Sequence, residues 1–337
     1  MANLITSVES IETTEYELRV KPLLSDPLIT ALPFDVAYGN MPKDIFFNSN
    51  ADKITGAKSA CGWSFKGTAT TFTKKTLNPV EVQAPVEQCY TVLLKKLFGN
   101  NLPDGALRGE LPQEVLNYMV TQQNYAFNRD LLSIVFLGDT AHSADDYYDL
   151  LDGVFKKLAE GIADTDGTVN AGDIVAADVD AGSFFETMNG VYNAQPRMLK
   201  NMPNSSKVWI WTQALYDAYL NYLETSTQGT AGIIQTAYVT DGLRPTMFKG
   251  IPIVVLPILD ERIESDFTSG SPAAAVDPYR CILTVGSNHI IMLDGQGFRN
   301  SNQFYLPKED KVYVTGSALV DYQYGYGELN VLAGVGL

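Results

Sequence analysis

Nucleophilic catalysis needs a histidine held between a nucleophile and an orienting acid, and the chain has two histidines, His142 and His289. His142 lies in GDTAHSADD and His289 inside the apolar run SNHIIML. Neither stands in a motif with a defined mechanism, so both read as structural. No phosphate-cradling Walker-type loop, no glycine-rich dinucleotide loop after a strand and no HExxH pair occurs. Asp145, Asp146, Asp149 and Asp152 crowd one segment, read as a helix over 144–160. Asp145, Asp149 and Asp152 share a face with Lys156 a turn beyond, which suits a solvated half-helix complementing its own dipole better than an acid/base pair.

One stretch imitates a metal site. In IADTDGTVNAGDI, Asp164, Asp166, Gly167, Val169 and Asp173 occupy the third, fifth, sixth, eighth and twelfth places of a calcium loop. Ile162 stands at the first place and cannot ligate, and an aspartate replaces the bidentate glutamate at the last. Asp164, Asp166 and Asp173 are therefore the candidate ligands of a site too poor to hold calcium tightly, and an Asx-stabilised surface turn is the simpler reading. Cys61, Cys89 and Cys281 form no CxxC pair and suit reduced, packed thiols. The aromatic run DYQYGYG at 321–327 reads as strand packing. The residues thus predict no catalytic group, no cofactor and no resident metal.

The elements that would carry these residues form one ordered, α+β chain of 337 residues, without internal repeat or low-complexity linker. Residues 1–38, broken by Pro22, Pro27 and Pro33, suit an extended arm that must pack on something else. Residues 39–80 predict a long two-stranded hairpin with its tip near 48–57. VEVQAPVEQCYTVLLKKLFGNN passes from a strand into a short helix. The best helix runs over 111–137, with Pro112 near its first turn and Gly138 at its end, roughly 40 Å at 1.5 Å per residue. A further helix is expected over 181–198. SSKVWIWT predicts a strand with Val208, Ile210 and Thr212 on one face and Trp209 and Trp211 on the other, followed by the helix ALYDAYLNYLE. GIIQTAYV and KGIPIVVLPIL read as strands, RCILTVGSNHIIMLD as a hairpin turning at Gly286-Ser287-Asn288, and the last 25 or so residues as alternating strands.

Net charge is −15, but it is unevenly placed. The stretch 53–80 holds Lys53, Lys58, Lys66, Lys74 and Lys75 with no acid, whereas residues 101–200 carry six basic against sixteen acidic side chains. Sequence-specific nucleic-acid binders more often present a basic face, but a wall enclosing nucleic acid meets no such demand. A basic hairpin on an acidic body invites contact between copies, and Phe46, Phe47, Trp63, Phe65 and Phe72 are too many large apolar groups to leave in water on a lone hairpin. No window has about 18 consecutive apolar residues and no signal peptide is evident, so a soluble protein made in the cytoplasm without membrane contact is expected.

The order of these pieces resembles the Hong Kong 97-type major capsid proteins of tailed bacteriophages. FLGDT at 136–140 is similar to that family's turn after its spine helix. LKNMPNSSKVWIWTQALYDAYLNYLE resembles its strand-then-helix lead into the axial domain, and Gly250, Ile251, Pro252, Ile253 and Val254 resemble its Gly-x-Pro-hydrophobic strand. The resemblance implies an N-terminal arm (1–38), an extended loop (39–80), a peripheral domain (81–178 and 299–325) with spine helix 111–137, and an axial domain (179–298 and 326–337). It implies self-assembly through pentamers and hexamers into an icosahedral virion capsid, built in the host cytoplasm around double-stranded DNA contacted without sequence specificity. Portal and separate scaffolding or decoration proteins are the further partners implied. The arm begins almost at Met1, so no large maturation cleavage is expected. Contacts between subunits are expected at Phe46, Phe47, Lys53, Lys58, Trp63, Phe65, Lys66, Phe72, Lys74 and Lys75. Some relatives cross-link a loop lysine to a neighbour's asparagine; for Lys53 and Lys58, plain electrostatic contact is the simpler expectation. Two other readings are an encapsulin-like compartment shell, which shares the fold, and a soluble carboxylate-dependent hydrolase.

Overall fold

The computed structural model describes residues 32–39, 41–49, 71–89, 113–141, 147–163, 169–172, 174, 179, 183–225, 246–266, 278–293, 302–306 and 308–334. In chain order these residues form strands β1 (Asp35–Tyr38), β2 (Lys43–Ser49), β3 (Thr71–Leu77), β4 (Val80–Gln83) and β5 (Val86–Cys89), then helices α1 (Gln113–Leu137) and α2 (Val154–Ala163). Strand β6 (Asn170–Gly172), helices α3 (Phe184–Asn193) and α4 (Arg197–Lys200), strand β7 (Lys207–Thr212) and helix α5 (Gln213–Thr225) follow. The rest comprises β8 (Met247–Phe248), β9 (Ile251–Leu256), α6 (Pro257–Asp266), β10 (Cys281–Val285), β11 (His289–Leu293), β12 (Asn302–Leu306), β13 (Lys311–Thr315), β14 (Ser317–Tyr324) and β15 (Asn330–Ala333).

A six-stranded sheet in the order β6-β15-β10-β7-β9-β8 divides two apolar cores. Alternation along its strands does the dividing, since neighbouring side chains point to opposite faces. Ile210, Ile282 and Leu332 stand in register across β7, β10 and β15 and enter one core. Trp209, Trp211, Cys281, Leu283, Val331 and Ala333 enter the other. The expected faces of β7 are therefore observed, with both sides buried. In the second core Trp209 and Trp211 lie 5.9 Å apart and both pack on Phe248, at 6.1 and 5.8 Å.

The first core is shared with a four-stranded sheet, β1-β11-β14-β4, and with α1 and α2. The last two turns of α1 are buried nearly all round, from Leu131 to Leu137. Gly138 ends the helix, as expected, because no side chain fits there: a Cβ would stand 2.2 Å from the carbonyl oxygen of Leu151. A three-stranded sheet, β12-β13-β5, and the two-stranded β2-β3 complete the described residues.

Four expectations are corrected. β10 and β11 do not form a hairpin: β10 pairs with β7 and β15, β11 with β1 and β14, and the 3-10 turn Gly286–Asn288 passes the chain from one sheet to the other. Residues 257–259, read as the end of a strand, instead open α6, with Pro257 at its first position, where a missing N–H costs nothing. The helix expected from 144 starts at Val154 instead. Before it, residues 147–150 are turns, and Asp152 accepts bonds from the Thr140 N–H and hydroxyl at 3.0 and 2.7 Å, holding the chain out of helix. The helix expected over 181–198 is split, α3 ending at Asn193 and α4 beginning after Pro196, which the residue ahead of a proline disfavours joining. The strand read at 232–239 and the helix read after Cys89 lie outside the described residues.

Candidate assembly surface

Of the two histidines, His289 falls within the described residues, and its surroundings disarm it. It opens β11 fully buried. Its Nδ1 lies 2.6 Å from the Tyr322 hydroxyl, and its Nε2 lies 2.7 Å from Thr284 Oγ1 and 2.9 Å from Asn330 Oδ1. Phe34 stacks on the ring at 4.6 Å. Burial pushes the imidazole down to about 3, against a smaller opposing effect of Asn330, so the ring is neutral and serves as a hydrogen-bonding hub. Thr284 and Asn330 come from the six-stranded sheet, Tyr322 and His289 from the four-stranded one. The cluster therefore fastens two sheets together. Cys281 is buried, its thiol pushed up by desolvation.

Among the described residues no group of three histidine, cysteine or acidic side chains is placed to hold a metal ion. Asp164, Asp166, Asp173 and His142 lie outside the described residues. A cavity of about 410 Å³ between β4–β5 and α1 has Asp130 as the sole carboxylate of its lining, and that carboxylate is paired with Arg262 at 2.7 Å. No helix among the described residues is long and apolar enough to cross a membrane.

The hairpin has two unlike faces. β2 and β3 pair from Lys43↔Leu77 to Ser49↔Thr71, so Phe47 and Lys75 lie on one face and Phe46, Phe72 and Lys74 on the other. The first face sits on the chain's own C-terminal strands. Phe47 meets Tyr326 edge-on at 5.3 Å, and the Tyr326 hydroxyl donates to the Asn48 carbonyl at 3.0 Å. Gly325 makes room, since a Cβ there would stand 2.7 Å from the Phe47 ring. Lys75 Nζ lies 3.6 Å over the Tyr324 ring and donates to the Tyr324 carbonyl at 3.1 Å. Burial, helped by nearby Lys157, pushes that ammonium down to about 8. Thus the aromatic run 321–327 works as a seat for the hairpin and as part of the buried cluster.

The second face stands open among the described residues. Phe46 is 65% and Phe72 70% exposed. They are diagonal neighbours across the pair, flanked by Lys74, which pairs with Asp44 at 2.8 Å. Of the ten residues expected to contact neighbours, Phe46, Phe72 and Lys74 face outward, whereas Phe47 and Lys75 are engaged within the chain. Lys53, Lys58, Trp63, Phe65 and Lys66 lie outside the described residues. The sequence reading missed the cluster around His289, whose members are scattered from position 34 to 330 with no local spacing to betray them.

No protein-family model matches the chain, and no curated protein matches it in sequence. Solved structures do match. A chain of Gordonia phage Cozz is 8% identical over 98% of this chain and 93% of its own, with a TM-score of 0.60. The capsid of an empty GTA particle is 13% identical over 97% and 96%, with a TM-score of 0.56. The mature capsid of bacteriophage PhiM1 is 11% identical over 95% and 91%, also at 0.56. At such identity the likeness is one of fold, and it spans almost the whole of both chains. With an outward hairpin, the long helix α1 and a six-stranded sheet between two cores, the chain has the α+β fold of the Hong Kong 97-type capsid proteins.

Proposed function

We propose that the chain is a major capsid protein, a structural subunit without catalytic role that self-assembles into the icosahedral shell around a double-stranded DNA phage genome. The observation that carries this reading is the end-to-end likeness to capsid subunits, because both chains are covered over nine-tenths or more of their length. A grafted domain would leave part of one chain unmatched. The exposed Phe46 and Phe72 support it: apolar groups of that size on a two-stranded hairpin ask for burial against a neighbour. In this reading 1–38 is the arm, 39–80 the extended loop, α1 the spine of the peripheral domain, and the six-stranded sheet the axial domain, which gains β6 and cedes β11 to its neighbour. The virion capsid is then its location, assembly taking place in the host cytoplasm. The portal, separate scaffolding or decoration proteins and the packaged DNA, touched without sequence readout, are its further partners.

Negative-stain microscopy of the purified chain tests the reading, alone and with its scaffold supplied. Uniform closed shells are the expected result, and a monomer or small oligomer under every assembly condition would overturn it. The basic loop is expected to rest on an acidic surface of the neighbouring subunit. Lys58, Lys66 and Lys74 changed together to glutamate should lower shell yield while the subunit stays folded. Lys75 is left out of this set because its charge is used inside the chain.

A further inference from the structure

β7 and β9 run parallel through the six-stranded sheet, so both begin at one end of it and finish at the other. Exposed cations gather at one end, where the acids Glu186 and Glu328 are also exposed, and exposed acids gather at the other. Where the strands begin stand Arg197 and Lys200 on α4 and Lys249 just ahead of β9, all exposed. Lys249 Nζ lies 4.3 Å over the Tyr192 ring and 5.9 Å from that of Phe185, and Lys200 Nζ donates to the Asn193 carbonyl at 2.8 Å. Lys207, the first residue of β7, donates to Gln195 and Asn204 side-chain oxygens at 3.0 and 3.3 Å, and the Asn204 amide donates to the Lys249 carbonyl at 3.1 Å. The cations are thus tied into one patch. Exposed Phe185 and Met247 add apolar surface to it.

Where the strands finish, the sign reverses. α5 starts directly after β7 and α6 directly after β9. Asp260 on α6 accepts the Ala214 N–H of α5 at 2.8 Å, so the two helix starts meet. Asp217, Glu261 and Glu264 are exposed there. Asp217 and Glu264 stand close enough to Asp260 to add to the burial that pushes its carboxyl up to about 6, against the bonds from Ala214 and Gln213. Six strand residues at about 3.3 Å each hold the two ends about 20 Å apart.

Elsewhere, Lys74, Lys156, Lys157, Arg262 and Lys311 each have a carboxylate partner within the chain. Among the described residues, none of the three cations at the first end and none of the three exposed acids at the second has an ion-pair partner. Unpaired charge of opposite sign at the two ends of a rigid sheet is complemented by a second copy of the same chain. Such a contact is heterologous, and it closes into a ring when each copy is rotated by a fixed angle from the last.

We propose that copies of this chain associate head to tail, with the basic, partly apolar end around Arg197, Lys200 and Lys249 seated on the acidic end around Asp217, Glu261 and Glu264 of the next copy. This deepens the shell reading above and rests on it for ring size and closure. The charge pairing is screened by salt, over about 10 Å at 0.1 M, while the apolar side chains supply a part that salt does not weaken.

Charge reversal at each end tests it. R197E with K249E, or E261K with E264K, should lower shell yield at least ten-fold while the unassembled chain keeps its circular dichroism spectrum and melting temperature. All four substitutions together should restore assembly. Either pair assembling at wild-type yield, or a folded quadruple variant no better than the pairs, overturns the proposal. Zero-length carbodiimide coupling of wild-type assemblies reads the same contact independently of shell closure. The two ends are too far apart within one chain to couple, so a cross-linked peptide joining Lys200 or Lys249 to Asp217, Glu261 or Glu264 reports two copies. Assemblies lacking that cross-link overturn the contact; open rings that carry it support the contact and end the shell reading.

Discussion

The junction around His289 and the outer face of the β2–β3 hairpin treat their side chains in opposite ways. At the junction, polar groups on two sheets are closed on one another at 2.6–2.9 Å, and the aromatic ring of Phe34 covers them. On the hairpin, two phenylalanines stand more than three-fifths exposed beside an ion pair in water. Among the described residues the junction finds its partners, whereas Phe46 and Phe72 of the hairpin face stay exposed. Subunit stability should therefore reside in the first region and association in the second, and mutations should separate the two.

The largest loss of subunit stability is expected next to the junction, in the core it shares a sheet with. Trp211→Ala removes a fully buried ring and its contacts with Trp209, Phe184, Tyr219 and Phe248, at a cost of about 3–5 kcal/mol, measurable by urea unfolding of the unassembled chain. The junction itself gives the next effect. Unfolded, His289 takes up a proton near pH 6.5, whereas the folded chain resists it until about 3. The unfolded state therefore binds more protons between these values, and the stability present above 6.5 is lost as pH falls toward 3. His289→Gln, which cannot charge, should flatten that part of the profile while costing about 1–3 kcal/mol at neutral pH, because it leaves junction partners unpaired. The smallest effect on the subunit is expected at the hairpin: Phe46→Ser with Phe72→Ser should change unfolding by less than about 0.5 kcal/mol yet abolish shells in microscopy. A double variant that unfolds easily would show that this face is covered within the chain after all.

What the sequence disclosed follows the range of the interactions involved. The long helix α1, observed over Gln113–Leu137 against 111–137 expected, is written in its own periodicity and in Gly138. The two faces of β7 are written in strict alternation, and the hairpin in glycine-punctuated, Thr- and Phe-rich strands. The same local logic misled where a distant partner decides. Residues 281–293 look like a hairpin because a turn joins two apolar strands, but Gly286 is pressed against Pro33, where a Cβ would stand 2.2 Å from the Pro33 carbonyl oxygen. Both edges of β10 are taken as well, by β7 and by β15, so β11 has no place beside it to fold back. Likewise Phe47 and Lys75 have the composition of an outward face, and only the register of β2 against β3, with Tyr324 and Tyr326 beneath, turns them inward. The charges at the ends of the six-stranded sheet were visible as residues but not as ends, since parallel pairing of β7 and β9 is what gathers them.

The way residues 32–38 enter the molecule has a mechanical consequence. Leu32 and Phe34 are buried in the first core, Pro33 bears on Gly286, and β1 is knitted in parallel to β11. Parallel pairing at a sheet edge is loaded along its length, in shear, when the strand is pulled from its N-terminal side, so many hydrogen bonds must yield together. A pull on the chain ahead of Leu32 would thus arrive at the weld between the two sheets, and β1 would behave as a tether made fast to the frame.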